Sequence, residues 1–173
     1  MNKGIFVTQP FLPPLEELQP YLEKIWESKQ LTNNGVFHQQ FETELANYLG
    51  VKYVSLFNNA TTALLVGIKA LDLSGEVITT PYSFVATAHA IKWNGLDPVF
   101  VDIDLKTHNI NANLIEVAIT NKTKAIMLAH TLGNPFNLGK VKKLCDKYNL
   151  WLIEDCCDAL GARYNDQHVG TFG

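Results

Sequence analysis

From Lys52 onward, short apolar runs alternate with segments of helical spacing, and this alternation constrains the fold more than any other feature of the chain. Tyr53 to Phe57 reads as a strand and Thr61 to Leu71 as a helix. Glu76 to Thr79 reads as a strand and Phe84 to Trp93 as a helix. Pro98 to Ile103 follows as a strand, then Ala112 to Ile119 as a helix. Lys124 to Ala129 is a strand, Leu138 to Tyr148 a helix, and Leu150 to Glu154 a fifth strand. The strand segments are near-continuous Val, Ile and Leu, as in strands covered on both faces. Strand and helix in strict turn imply right-handed βαβ units and a mostly parallel sheet, hence an α/β fold. The stretch Arg163 to Gly173 reads as a hairpin leading into something further.

The first 50 residues differ. Leu15, Leu18, Leu22, Ile25 and Trp26 lie at helical spacing after Pro13-Pro14, with Pro20 starting or kinking the main helix. Thr32-Asn33-Asn34-Gly35 is a turn. Phe37, Phe41, Leu45, Tyr48 and Leu49 mark a second amphipathic helix closed by Gly50. The expected organisation is a helical segment over residues 1–50 and a sheet domain over 51–173.

Composition narrows the class. The 173 residues are 47% hydrophobic and 18% charged, with a net charge of −3 and no basic cluster, so neither a nucleic-acid partner nor an anionic membrane surface is expected. No apolar run reaches the ~20 residues of a membrane span. Met1 to Phe6 lacks the apolar region of a signal peptide, so the expected location is cytoplasmic. Cys145, Cys156 and Cys157 form neither a disulfide framework nor a zinc-ligand spacing. They read as small buried residues, and no metal is expected.

Three strand ends carry chemistry. The run Leu150 to Ile153 ends in Glu154-Asp155, which fixes an anion at the carboxyl edge, where open α/β sheets bind ligands. Asn58-Asn59-Ala60-Thr61 joins a strand to a helix. Its small and hydroxyl residues leave amides for a phosphate at a helix N-terminus, or Asn59 simply caps the helix. Tyr82-Ser83-Phe84-Val85-Ala86-Thr87 sets aromatics at the same edge, either to stack on a planar ring or to fill the core. Together the three point to a phosphorylated heteroaromatic cofactor. A carboxylate at Asp155 facing a pyridinium nitrogen would keep it protonated; the alternative is a helix N-cap. Asp158 meets Asp155 on one face if a helical turn starts there, and the pair would then raise one carboxyl and offer a proton carrier; otherwise Asp158 is a solvated aspartate. His130, ending the fourth strand, borders the ring or substrate, or is a satisfied structural histidine.

The chain resembles the N-terminal part of the DegT–DnrJ–StrS family of nucleotide-sugar aminotransferases. The resemblance rests on Leu31-Thr32-Asn33-Asn34-Gly35, Phe57 through Leu64, Glu76 through Thr87, Pro98 through Asp102 and Ile153 through Gly161, five motifs in order. It implies the large domain of the fold-type-I architecture of pyridoxal-phosphate enzymes, a parallel sheet flanked by helices, incomplete here, with the small C-terminal domain absent. By position, Asn59, Ala60 and Thr61 match the phosphate segment, with Ala60 in place of the usual glycine. Phe84 matches the aromatic stacked on the ring, and Asp155 the partner of the ring nitrogen. Asp158 occupies a position that usually holds Gln or His, and is the candidate catalytic residue within the chain. The Schiff-base lysine is expected downstream of Gly173, after about 10 further residues.

The resemblance implies pyridoxal 5'-phosphate, or pyridoxamine 5'-phosphate, as cofactor. The expected partners are a nucleotide-linked keto-deoxy sugar, an amino donor (usually glutamate) and a second copy of the chain in a homodimer. Leu22 and Trp26 belong either to that contact or to the core. The expected activity is transamination in deoxysugar or surface-polysaccharide biosynthesis, including lipopolysaccharide. Residues 130–173, including His130 to Phe136 and Glu154 to Gly161, resemble instead the CDP-4-keto-6-deoxyglucose 3-dehydrase branch. That branch replaces the lysine by histidine and dehydrates the sugar from pyridoxamine phosphate. A third expectation is a non-catalytic remnant that binds cofactor weakly or pairs with a longer homologue.

Overall fold

The computed structural model describes residues 4–5 and 8–173. Of the Met1 to Phe6 stretch, only Gly4 and Ile5 lie among them. The chain divides into two compact units, one ending at Glu44 and one running from Leu45 to Gly173.

In the first unit, α1 (Leu15–Ser28) starts directly after Pro14. Glu16 and Glu17 in its first turn complement the helix dipole. The helix neither starts nor stops at Pro20 but runs through it. Pro20 has no N–H, so the helical bond to the carbonyl of the exposed Glu16 is not made. Lys29 closes α1 in the left-handed region (φ 56°), and Asn33 (φ 32°) and Asn34 (φ 56°) shape the turn into α2 (Val36–Leu49). Tyr21 packs on Phe37 with ring centroids 5.2 Å apart. No residue of α1 is buried, and Leu22 and Trp26 stay 40% and 71% exposed. Core packing of those two side chains is therefore not realised among the described residues of the first unit.

The second unit takes up the end of α2, where Gly50 (φ 70°) lets the Val51 amide turn back onto the Ala46 carbonyl at 3.0 Å. Then follow α3 (Ala60–Ala70), β1 (Glu76–Thr79), α4 (Val85–Trp93), β2 (Asp97–Phe100), α5 (Ile115–Ala118), β3 (Thr123–Ala129), α6 (Leu138–Tyr148) and β4 (Trp151–Asp155). The short pair β5 (Arg163–Tyr164) and β6 (Gln167–His168) forms the expected hairpin. The main sheet has the order β2-β1-β3-β4, and every pairing is parallel.

Neighbouring residues on the central strands face opposite layers. Val77, Ala125 and Met127 pack with Ile68 of α3 and with Ala90 and Ile91 of α4. Ile78, Ile126 and Leu128 pack with Ile115 of α5 and with Leu138, Val141 and Leu144 of α6. Both faces of the sheet are thus covered, which explains the unbroken apolar runs.

Three expected elements differ. Tyr53 to Phe57 joins no strand of either sheet. Its alternation of half-buried Val54 and Leu56 with exposed Tyr53, Ser55 and Phe57 satisfies one-sided cover without a ladder. The helix expected over Ala112 to Ile119 shrinks to the four residues of α5. Asn111 binds the Asn113 amide with its side chain (3.0 Å) and the Leu114 amide with its carbonyl (2.9 Å), so the start becomes a turn. The strand expected to reach Ile103 ends at Phe100, and Ile103 bridges Ile110 instead.

Candidate active site

The connection from β1 leads to β2 on one side, and that from β3 leads to β4 on the other. The loops diverge above the carboxyl ends of β1 and β3, which is where such sheets open a crevice. A cavity of about 340 Å³ lies there. Its wall comes from Pro81 to Phe84 after β1, from Ala129 at the end of β3 and His130 to Leu132 beyond it, and from Asp155 at the end of β4 with Cys157 and Asp158 beyond it.

Asp155 ends β4 and is 7% exposed. Its Oδ2 accepts from Thr87 Oγ1 at 3.1 Å, and its Oδ1 accepts from the Cys157 amide at 3.2 Å. Thr87 has a single proton, so in the 2.8 Å contact between the Ser83 and Thr87 hydroxyls Ser83 donates. A directed chain Ser83–Thr87–Asp155 therefore orients the carboxylate. A carboxylate offers about four acceptor positions, so capacity remains beyond these two donors. The N-cap alternative does not hold, because the residues directly after Asp155 form a turn and not a helix.

Phe84 stands at the N-terminus of α4 on the cavity wall, 75% exposed, beside the half-exposed Tyr82. The core-aromatic alternative fails for both. Asp158 lines the cavity, but Cys156 to Ala159 form a turn closed by the Ala159 amide on the Cys156 carbonyl (2.9 Å), not a helix. The Asp155–Asp158 pairing on a helical face is thus absent. Cys157 also lines the cavity and is exposed, and Cys156 is half-buried; of the three cysteines, only Cys145 is buried as expected. Partial burial, the hydrogen bond to Asp155 and the charges of Asp155 and Asp158 push the Cys157 thiol up to about 12. That shift favours the thiol over the reactive thiolate.

Asn59 caps α3. Its Oδ1 accepts from the Thr62 amide at 2.8 Å and from the Thr62 hydroxyl at 3.1 Å. Ala60 and Thr61 form the first turn behind it. None of the three is part of the cavity wall.

His130 is in the wall yet 1% exposed, stacked on Phe136 with centroids 4.3 Å apart and planes 7° apart. Its Nε2 lies 3.0 Å from Glu154 Oε2. The same carboxylate accepts from the amides of Gly170 (2.9 Å), Phe172 (2.7 Å) and Gly173 (3.1 Å). Burial works to raise the Glu154 carboxyl, but the His130 and backbone bonds outweigh it and hold it below the usual range. Glu154 and Phe136 hold the His130 ring inside the wall, while its Nδ1 is buried without a hydrogen-bond partner among the described residues, so the histidine is not fully satisfied. The roles of Thr87 and Glu154 escaped the sequence reading. A hydroxyl in the first turn of the helix after β1 was the available signal for Thr87.

A family profile described as the DegT/DnrJ/EryC1/StrS aminotransferase family matches residues 15–173. The chain is 57% identical over 173 residues to the dTDP-4-amino-4,6-dideoxy-D-glucose transaminase of Shigella dysenteriae, covering 100% of this chain and 47% of that protein. DesI, solved in the presence of its TDP-sugar product, superposes with a TM-score of 0.94 at 32% identity, over 100% of this chain and 44% of that one. An E. coli GDP-4-keto-6-deoxy-D-mannose-3-dehydratase with bound hydrated PLP superposes with a TM-score of 0.88 at 32% identity, over 96% and 44% of the two chains. The chain spans about half the length of the curated relatives it matches. Among its described residues, no helix is long and apolar enough to cross a membrane. The parallel sheet covered by helices, the switch-point cavity and the match along the chain agree: this chain belongs to the DegT/DnrJ/EryC1/StrS aminotransferase family.

Proposed function

We propose that the protein is a pyridoxal-phosphate-dependent transaminase acting on a nucleotide-linked keto-deoxy sugar. The observation that carries this is Asp155, a buried carboxylate oriented by Thr87 and Ser83 in a cavity whose wall carries the exposed ring of Phe84. These residues fit a pyridine ring: Asp155 keeps acceptor capacity for a ring N–H, and Phe84 offers an uncovered aromatic face. In this reading Asp155 holds the proton on the ring nitrogen, Phe84 fixes the ring plane, and Asn59, Ala60 and Thr61 serve the phosphate at the start of α3. Bound there, the cofactor supplies an electron sink for bond-breaking at the substrate carbon. Thr87 keeps Asp155 from rotating away, and Ser83 keeps Thr87 donating. Residues 51–173 form part of the cofactor-binding domain, and a lysine beyond Gly173 completes the machinery.

The curated relatives named for dTDP-4-amino-4,6-dideoxy-D-glucose support a dTDP-linked sugar. Exchanging the amino group of that product for oxygen gives a 4-keto-6-deoxy sugar as acceptor, with glutamate as donor. The reading includes a cytoplasmic setting, where nucleotide sugars and glutamate are available, and a homodimer that covers the exposed Leu22 and Trp26. A second reading, 3-dehydration from pyridoxamine phosphate, is favoured by Asp158 in the cavity wall.

The test incubates the full-length protein with pyridoxal phosphate, glutamate and dTDP-4-keto-6-deoxyglucose, followed by mass spectrometry. An amino sugar formed with stoichiometric 2-oxoglutarate supports transamination. A sugar that has lost its 3-hydroxyl supports the dehydratase, and unchanged substrate contradicts both for this sugar.

A further inference from the structure

Adjacent carboxylates at the end of β4 do different work. Asp155 lines the cavity, while Glu154 is turned away from it, with its side chain 2% exposed. Three of the four donors around Glu154 are amides of one short segment, Gly170, Phe172 and Gly173, and the fourth is the ring of His130. An ionised carboxylate is the side chain that can accept from four donors at once. The backbone around it is shaped to the same end. A Cβ on Gly170 (φ 84°) would lie 2.9 Å from Cys156 Sγ, and one on Gly173 would lie 2.3 Å from the Leu152 carbonyl oxygen. At Gly173 the segment presses against the backbone of β4 so closely that only glycine fits, while at Gly170 the near atom is the tip of the Cys156 side chain and the positive φ is what favours glycine. Both observations describe one clamp, reached independently through the donors and through the glycines.

We propose that Glu154 is a positioning residue. Its carboxylate clamps Gly170–Gly173 across the end of β4 and, through His130, ties that segment to the cavity wall. His130 is the middle of the link: its ring is held by Glu154, its backbone amide donates to the Asp155 carbonyl at 3.1 Å, and Thr131 and Leu132 next to it line the cavity. The point from which the chain leaves Gly173 is therefore set by the same group that sets the wall beside Asp155. The part of this inference that concerns cofactor affinity rests on the reading of the cavity as a pyridoxal-phosphate site; the clamp itself does not.

The experiment compares Glu154→Gln and Gly173→Ala with wild type in the full-length protein. One readout is amide hydrogen exchange at residues 170, 172 and 173; the other is pyridoxal-phosphate affinity from absorbance titration. Glutamine puts an NH2 where two donors need an acceptor, and alanine at 173 pushes the segment off Leu152 while leaving the carboxylate itself in place. Both variants are expected to raise exchange at those amides at least tenfold, leave the exchange of β3 unchanged, and weaken the cofactor about tenfold. Unchanged exchange in a folded variant overturns the clamp, and Gly173→Ala decides the matter if Glu154→Gln does not fold. Faster exchange with unchanged affinity overturns the positioning role and leaves a purely structural bond set. Wild type that binds no pyridoxal phosphate counts against the cofactor reading alone, since the exchange result still decides the clamp.

Discussion

Replacing Thr87 by valine tests whether the Ser83–Thr87–Asp155 chain holds the carboxylate as described. Thr87 is 1% exposed, and valine matches its shape, so packing is nearly conserved while the hydroxyl is lost. Its bond to Asp155 has a charged acceptor, and such bonds contribute about 1.5–3 kcal/mol. Ser83 also loses its acceptor, but Ser83 is only half-buried, so water replaces that bond at little cost. The added methyl returns a fraction of a kcal/mol, leaving a net loss of about 2 kcal/mol. With a urea slope of about 2 kcal/mol per molar, the unfolding midpoint falls by about 1 M. Thr87→Ser is the control: it keeps the hydroxyl and removes one methyl, for a cost of about 0.8 kcal/mol. The midpoints are therefore expected in the order wild type, Thr87→Ser, Thr87→Val. If Thr87→Val matches wild type, or is more stable than Thr87→Ser, the hydroxyl does not hold Asp155 and the reasoning is wrong.

Other consequences follow from the same geometry. Ile126 is fully buried between β1 and β4, so Ile126→Ala is expected to cost about 2–4 kcal/mol in urea unfolding without altering the cavity wall. Glu154 has a carboxyl held below the ordinary range, so it stabilises the fold fully above its unfolded pKa. That contribution is lost as pH falls through the lower, folded value. A stability profile across the acid range is expected to decline more steeply for wild type than for Glu154→Gln, and parallel profiles would refute the assignment.

The sheet was largely legible because its signal is local. Glu76 to Thr79 and Leu138 to Tyr148 carry their own apolar pattern, and the structure reproduces both sets of bounds. Phe84, Asp155 and Asp158 were legible as strand-end residues that share the carboxyl edge, and they line one cavity. What the sequence hid depends on distant partners. Thr87 and Asp155 are 68 positions apart, and the Glu154 donors include His130, 24 positions before it, and Gly173, 19 after it. No periodicity encodes such meetings. Tyr53 to Phe57 was misread for the complementary reason: alternation reports one-sided burial, whereas a ladder requires a neighbouring strand. The turn at Asn111 won over helix propensity in α5 because Asn side chains bind nearby amides.

The central claim is that the cavity at the ends of β1, β3 and β4 holds pyridoxal phosphate through Asp155. Crystals of the full-length protein grown with pyridoxal phosphate test it most directly. The account predicts the pyridine ring in this cavity, its nitrogen within hydrogen-bond distance of Asp155 and Phe84 over one face. A ring bound elsewhere, or its nitrogen facing away from Asp155, would contradict it.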